Sequence, residues 1–435
     1  MKKWVMRLSL AMTLSPLLAG VGAAQGSPHG HSPEGVADAP TVDSLIAAAL
    51  SRSPSLAELR ARVRAARERA RGAGALPRPM LELMLQDVGF PSYTVGEDDM
   101  SMIGPQLTQA IPFPGKRGAR QRAAQADASV RERALEALEC VVVRDVRVLA
   151  ARLYALDAEE QALLVGRDVL GQLAASAGSR YSTGSAGSEP LLQARLAQHR
   201  LAERLDDLRA ERAQAGAALA LLTDSDPSSP EGALRALPGV PAIERVGSDT
   251  LALRSTELAV RHAESRSAEA QWQAVRLERL PDLVAGAGVG FRGSHDPVVT
   301  LRLGLDLPLW GGGEKRANAR AAEQDVFAAR AAERGALLMA RTEQARLRTD
   351  LGLRQAQAAR YRDQIVPDSR LAFESARSSY LVGRGELSAV LSNFNSWLEA
   401  TTGLARREAE IFANWAELEH IENRAAIAIT KGGSK

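Results

Sequence analysis

Gln109-Ala-Ile-Pro112-Phe-Pro114-Gly115-Lys116-Arg117 ends an apolar, strand-like run and opens a helical run. Farther along, Leu307-Pro308-Leu-Trp-Gly311-Gly-Gly-Glu-Lys315-Arg316 does the same. Pro308 repeats Pro112 at a shift of 196, and Lys315-Arg316 repeats Lys116-Arg117 at 199, after three extra residues. The shift then holds: Tyr380 and Gly383 repeat Tyr181 and Gly184, again at 199. One offset kept through a whole helical run is the mark of an internal duplication.

Reading outward from the two junctions gives the same order of parts twice. A helical pattern over 41–75, with Thr41 as N-cap, stops at Pro77 and Pro79. Strand-like stretches at 80–90 and 100–111 lead to the first junction. A long helix then runs to about Ser179, a Gly/Ser tip containing Tyr181, Gly184 and Gly187 turns the chain, and a helix follows from Ser188 to about Leu222. In the second copy a helix over 249–280 stops at Pro281, and strands at 282–291 and 298–307 are joined through Arg292–Pro297. A long helix follows to about Ser379, then a tip with Tyr380, Gly383, Arg384 and Gly385, then a last helix ending near Asn423. The domains are therefore a first repeat over 41–222, a linking segment over 223–248, a second repeat over 249–425 and a tail over 426–435. The long helices, of about 62 and 66 residues, would each reach on the order of 95 Å, and the two shorter helices of each half add up to about the same length. Rods of that reach pack side by side, coiled-coil fashion, not into a compact globule.

The strands alternate. Val299, Leu301, Leu303, Leu305 and Leu307 share one face, and Thr300, Arg302, Gly304 and Asp306 the other. Leu283, Ala285, Ala287, Val289 and Phe291 likewise oppose Asp282, Gly286, Gly288 and Gly290. Strands of about ten residues with one apolar face match tilted strands of a transmembrane barrel. Four strands cannot close a barrel, because the smallest bacterial ones have about eight. Three chains would supply twelve, with the helices continuing as a twelve-rod tube.

The amino-terminus agrees with export. Lys2 and Lys3 precede an apolar run from about Val5 to Leu18, and Gly20, Gly22, Ala23 and Ala24 follow, so 1–24 reads as a signal peptide. Residues 25–40, rich in Gly, Ser, Pro and His, read as a disordered linker, His29 and His31 included. The lone Cys140 rules out an intrachain disulfide and reads as a buried structural thiol.

Composition removes other classes. Lys plus Arg is 55 against 52 Asp plus Glu, with the signs interleaved, so a concentrated nucleic-acid-binding surface is not expected. Gly288-Val-Gly-Phe-Arg-Gly293 fits a dinucleotide fingerprint, but a turn and a strand follow it instead of a helix. Gly311-Gly-Gly-Glu-Lys-Arg lacks phosphate-loop spacing, and the six histidines form neither a zinc motif nor a triad. No enzyme and no cofactor are expected. Met80, Met84, Met100 and Met102 are the candidate metal ligands, since thioethers favour Cu(I) and Ag(I). An antiparallel hairpin puts Met80 near Ala110 and Met100 near Phe90, at opposite ends, so these methionines are read as incidental.

With these motifs in order, the chain resembles the TolC family of outer-membrane efflux proteins over about residues 41 to 425, most of all its cation-efflux (CzcC-like or CusC-like) branch. Gln109–Arg117 resembles the first strand-to-helix junction (Pro112, Pro114, Gly115) and Leu307–Gly312 the second (Pro308, Gly311). The resemblance implies a mainly α TolC-like fold: two tandem repeats of long helices and a β-hairpin, forming a trimeric twelve-strand barrel in outer-membrane lipid above a twelve-helix periplasmic tunnel. It implies a homotrimer that meets a periplasmic adaptor and an inner-membrane pump through the tips: Tyr181, Gly184 and Gly187, and Tyr380, Gly383, Arg384 and Gly385. The implied role is a passive exit duct, for heavy-metal cations in this branch, with drugs or secreted polypeptides as the alternative cargo. A periplasmic coiled-coil adaptor would explain the rods but not the hairpins. Family members with an aspartate-ringed gate carry acids just inside the second tip, where this chain has Ala389 and Ser392.

Overall fold

The computed structural model describes residues 41–95, 97, 99–226, 234, 236–241, 251, 254–307 and 312–422. In chain order the elements are α1 (Val42–Arg52), α2 (Pro54–Gly72), β1 (Met80–Gln86), β2 (Met102–Ile111), α3 (Lys116–Ser182) and α4 (Glu189–Thr223). The second half follows with α5 (Thr256–Leu277), β3 (Asp282–Arg292), β4 (His295–Asp306), α6 (Gly312–Arg360), a π-helical turn (Tyr361–Ile365), α7 (Val366–Leu381) and α8 (Leu387–Glu422). The expected signal peptide, the linker with His29 and His31, Pro308, Gly311 and the tail lie outside the described residues.

Several boundaries differ from the sequence expectation, each for a local reason. The single helix expected over 41–75 is two, because Pro54 has no N–H to give and pushes Ser53 out of helical geometry, to φ −50° and ψ 123°. Thr41 does cap α1, its hydroxyl accepting from the Ser44 N–H. The helix expected from 249 to 280 appears as α5, Thr256–Leu277, capped by the Ser255 hydroxyl. The second long helix is not continuous. Pro367 would clash with the carbonyl of Asp363, and the extra residue of the π turn at Tyr361–Ile365 relieves that clash. The first strand stops at Gln86, where Asp87 takes φ 50°, and the second starts at Met102 rather than at 100. The second hairpin is tighter than expected. His295, Asp296 and Pro297 belong to β4, and Arg292 pairs with His295 across Gly293 (φ 67°) and Ser294.

The four strands form one antiparallel sheet in the order β1-β2-β3-β4, so the two repeats join within a single sheet. The register pairs Met80 with Thr108, Gln86 with Met102, Ile103 with Phe291, Ala285 with Leu303 and Gly286 with Arg302.

The helical core is lined by small and aliphatic side chains, as the low aromatic content demands. Ala49, Ala150 and Ala194 are fully buried and lie with Leu163, Leu170 and Leu219 in one cluster. Gly166 on α3 makes room for Phe394 of α8, since a Cβ there would stand 2.9 Å from the ring. Phe394 in turn packs edge-on to Phe373, whose ring stacks on Trp397 at 5.5 Å. Cys140 is buried in α3.

A buried carboxylate ties the repeats together. Glu159 of α3 accepts from Arg204 of α4 at 2.7 Å on one oxygen and from Arg406 of α8 at 3.1 Å on the other. Burial alone would raise this carboxyl. The hydrogen bonds and charges of Arg406 and Arg204 outweigh burial and hold it below the usual carboxylate range.

Candidate functional site

The residues expected to act fall in three places: the sheet, the joint beneath it, and the two hairpin tips.

On the sheet, pairing sorts the side chains by face. Leu81, Leu83 and Leu85 of β1 share a face with Ile103, Leu107 and Ile111 of β2, with Leu283, Val289 and Phe291 of β3, and with Val299, Leu301, Leu303 and Leu305 of β4. This apolar face is bare: Leu303 is 81% exposed, Leu301 78% and Leu81 72%. Within a soluble domain such a surface would be covered. The opposite face carries Glu82, Gln86, Gln106, Thr108, Thr300, Arg302 and Asp306 among the glycines Gly104, Gly286, Gly288, Gly290 and Gly304. Glycine is required at Gly104, where a Cβ would stand 1.7 Å from the Val289 carbonyl. Among the described residues no strand lies beside the outer edges of β1 and β4. An open edge of this kind offers unpaired N–H and C=O groups to a further strand. No helix among the described residues is long and apolar enough to cross a membrane.

The methionines separate as their register requires. Met102 is buried against Gly290, Met84 pairs with Gly104, and Met80 lies farther along β1 opposite Thr108. Met80 is two residues off its expected partner Ala110, and Met100, expected near Phe90, is exposed just before β2 and outside the ladder. Among the described residues no three His, Cys, Asp or Glu side chains gather as a metal site.

Beneath the sheet, Lys116 opens α3 and is one of the largest fully buried side chains. Its ammonium donates at 2.7 Å to Asp282 Oδ1, where β3 begins, and at 2.7 Å to the Leu280 carbonyl. Asp282 Oδ1 also accepts the Phe113 N–H at 2.8 Å. One turn on, Arg120 makes a bidentate pair with Glu278 at 2.8 and 3.0 Å. The Pro112–Arg117 junction of the first repeat is thereby bolted to the helix-to-strand junction of the second. Gly115 takes φ 96°, which lets the backbone turn from strand into helix. The sequence contained both partners, but a pair 166 residues apart leaves no local spacing to find it by.

The tips are built alike. Thr183 N–H donates to Ser179, Gly184 N–H to Tyr181 and Ser185 N–H to Arg180. Val382, Gly383 and Arg384 repeat these bonds to Ser378, Tyr380 and Ser379, each 199 positions later. Gly184 and Gly383 have φ 72° and 79°, the left-handed conformation that ends a helix in this way. Open space surrounds Gly184, Gly187 and Gly383, while Gly385 lies close against Ser379.

The side chains at the tips are not alike. Tyr181 is half exposed, whereas Tyr380 is buried beneath Arg180, whose guanidinium stands 4.7 Å above its ring. Arg180 also donates to the Tyr380 and Leu381 carbonyls at 2.8 and 3.0 Å, latching the first tip onto the second. The only sequence signal for that latch was a difference between the copies, since Arg180 is replaced by Ser379 in the second repeat. Arg384 is exposed and makes no ion pair among the described residues. Glu386 faces Ser388 instead. Ala389 and Ser392 are exposed on α8 just inside this tip.

The sequence profile described as outer membrane efflux protein matches residues 45–224 and 248–423. No curated protein matches the sequence. Among solved structures, the chain is similar to the outer membrane protein VceC of Vibrio cholerae at 21% identity, covering 88% of this chain and 95% of that one, with a TM-score of 0.73. It is similar to CusC at 18% identity, covering 89% and 92%, with a TM-score of 0.75. It is also similar to the CmeC outer membrane channel of Campylobacter jejuni at 15% identity, covering 90% and 89%, with a TM-score of 0.75.

Proposed function

The chain belongs to the outer membrane efflux protein family, whose members are channels of the outer membrane with a large periplasmic helical part; from that premise we propose that three copies of it form the exit duct of a tripartite efflux system, docking through their helical tips to a periplasmic adaptor and an inner-membrane pump. One observation carries the reading: a single four-stranded sheet, apolar and bare on one face, polar or glycine-lined on the other, with both edges open. Lipid covers the first face, water fills the second, and two further copies close the edges. The helices then continue as the tunnel wall.

Conduction is passive. Among the described residues no three His, Cys, Asp or Glu side chains gather on the polar face, and the energy comes from the pump. We assign heavy-metal cations as cargo on the likeness of Gln109–Arg117 to the cation-efflux branch, with the methionines taking no concerted part. Drugs are the competing cargo. Deleting the gene and comparing sensitivity to metal ions and to organic drugs separates them.

Mass measurement in mild detergent is expected to give three protomers. A stable monomer confined to the soluble periplasm would refute the duct.

Docking has its own test. Arg384 is exposed and unpaired at a tip whose turn is fixed by backbone bonds, so Arg384→Glu should change stability by no more than about 0.5 kcal/mol. Trimer yield stays normal, while resistance and cross-linking to the adaptor fall, because a reversed charge weakens association at a docking patch. Normal resistance with normal cross-linking would remove Arg384 from the interface.

A further inference from the structure

Where the helices meet the sheet, a cleft of about 760 Å³ opens between the end of α5 and the start of α6. It is lined by Arg276 of α5 and Arg279 just past its end, by Lys315 and Arg316 of α6, and by Arg122 from α3, together with Leu277 and Leu280. Its charge is out of character. Many arginines elsewhere are paired, as Arg120 is with Glu278, Arg330 with Glu269 and Arg346 with Glu343, and those that are not, such as Arg302 and Arg384, do not share a cleft with four other cations. None of these five cations has a carboxylate partner among the described residues. Arg276 lies over the Trp272 ring at 4.9 Å. Arg279 donates back to the Arg276 carbonyl near the end of α5, and Arg316 to the Gly312 carbonyl of its own helix. Glu278, the nearby carboxylate of α5, is taken by Arg120 and Lys116. The first turn of α6 also lines the cleft at Gly312, and a helix start adds positive potential to the cluster.

The duplication explains why Lys315 is unpaired. It stands at the position of Lys116, which is buried against Asp282 of Leu280-Pro281-Asp282. The corresponding step of the first repeat reads Leu76-Pro77-Arg78. In a ring of copies, a neighbour would bring Arg78 to that place, another cation and no carboxylate.

The geometry points to a binding site for the phosphate of an anionic phospholipid headgroup, on the periplasmic side of the membrane. The placement fits that ligand. Leu280 is two residues before β3 and Gly312 six after β4, so the cleft sits at the polar edge of the apolar band that begins with Leu283 and Leu305. Leu277 and Leu280 offer apolar surface to the glycerol and upper acyl carbons, and basic clusters at such a boundary attract anionic headgroups. This inference rests on the barrel reading.

The test is native mass spectrometry of the detergent-purified protein with phosphatidylglycerol or phosphatidylcholine added, beside the triple variant Arg276→Gln, Arg279→Gln, Lys315→Gln. The wild-type trimer should retain phosphatidylglycerol over phosphatidylcholine by at least about fivefold, and the variant should lose that preference while remaining a trimer. Equal retention of both lipids by the wild type, or an unchanged preference in the variant, would overturn the site. So would displacement of phosphatidylglycerol by inorganic phosphate as effective as displacement by the same lipid, which would make the ligand a free anion. A changed ion selectivity in the variant with unchanged lipid retention would likewise overturn it, placing the cations on the channel wall. Because the same spectrum reports the trimer mass, a monomer in both proteins would refute the barrel reading instead.

Discussion

Leu303→Arg is expected to abolish most outer-membrane insertion, whereas Gly304→Arg, one residue away, is expected to insert and change conductance. Leu303 is 81% exposed at the centre of the alternating apolar run from Val299 to Leu307, opposite Ala285 on the apolar face. On the lipid side near mid-bilayer an arginine costs about 2–4 kcal/mol, and the penalty recurs in every protomer of a closed barrel. Gly304 lies opposite Val284 on the other face, with no atom near the position a Cβ would take. A side chain there extends into open space beside Arg302, which this face already accommodates. Outer-membrane fractionation with heat-dependent migration reads insertion, and bilayer recordings read conductance. Equal insertion defects for the two variants would show that the register, and with it the division into two faces, is wrong.

The alternation that drives this prediction was legible in the sequence because a strand places successive side chains on opposite faces, whatever lies beside it. Val299 to Leu307 needed no partner to be read. The tips were legible for a related reason: Gly184 and Gly383 end their helices by a local turn, and local geometry leaves a local signature. Proline breaks were legible only in part. Pro77 and Pro281 were read as stops, while Pro54 and Pro367 sit in long Ala/Arg-rich runs whose helical pattern masked them. What the sequence could not disclose were contacts between the repeats. Arg180 over Tyr380, Glu159 between Arg204 and Arg406, and Lys116 on Asp282 each join residues that come together only when the two copies pack. The duplication even misleads at these points. It predicts equivalent roles for Tyr181 and Tyr380, or for Lys116 and Lys315, yet Tyr380 and Lys116 are buried while Tyr181 is half exposed and Lys315 only partly covered.

The joint beneath the sheet is where such a hidden contact should matter most, and Lys116→Met tests it. Methionine fills nearly the same volume, so the loss is electrostatic. Asp282 keeps only the Phe113 N–H, and the Leu280 carbonyl loses its donor. Removing one member of a buried ion pair costs about 3–5 kcal/mol, and because Asp282 retains some solvent the lower end is expected, about 3 kcal/mol. That loss falls where the first long helix meets the second hairpin, so the protein should unfold at lower temperature or denaturant. Asp282→Asn still offers an oxygen to Phe113, and it removes the charge that Lys116 would otherwise leave stranded. The double variant should therefore be more stable than the sum of the two single losses allows. A coupling of more than about 1 kcal/mol in that cycle marks a direct interaction. Additive losses, or a Lys116→Met trimer as stable as an exposed arginine control, would mean that the buried ammonium does not hold the two repeats together.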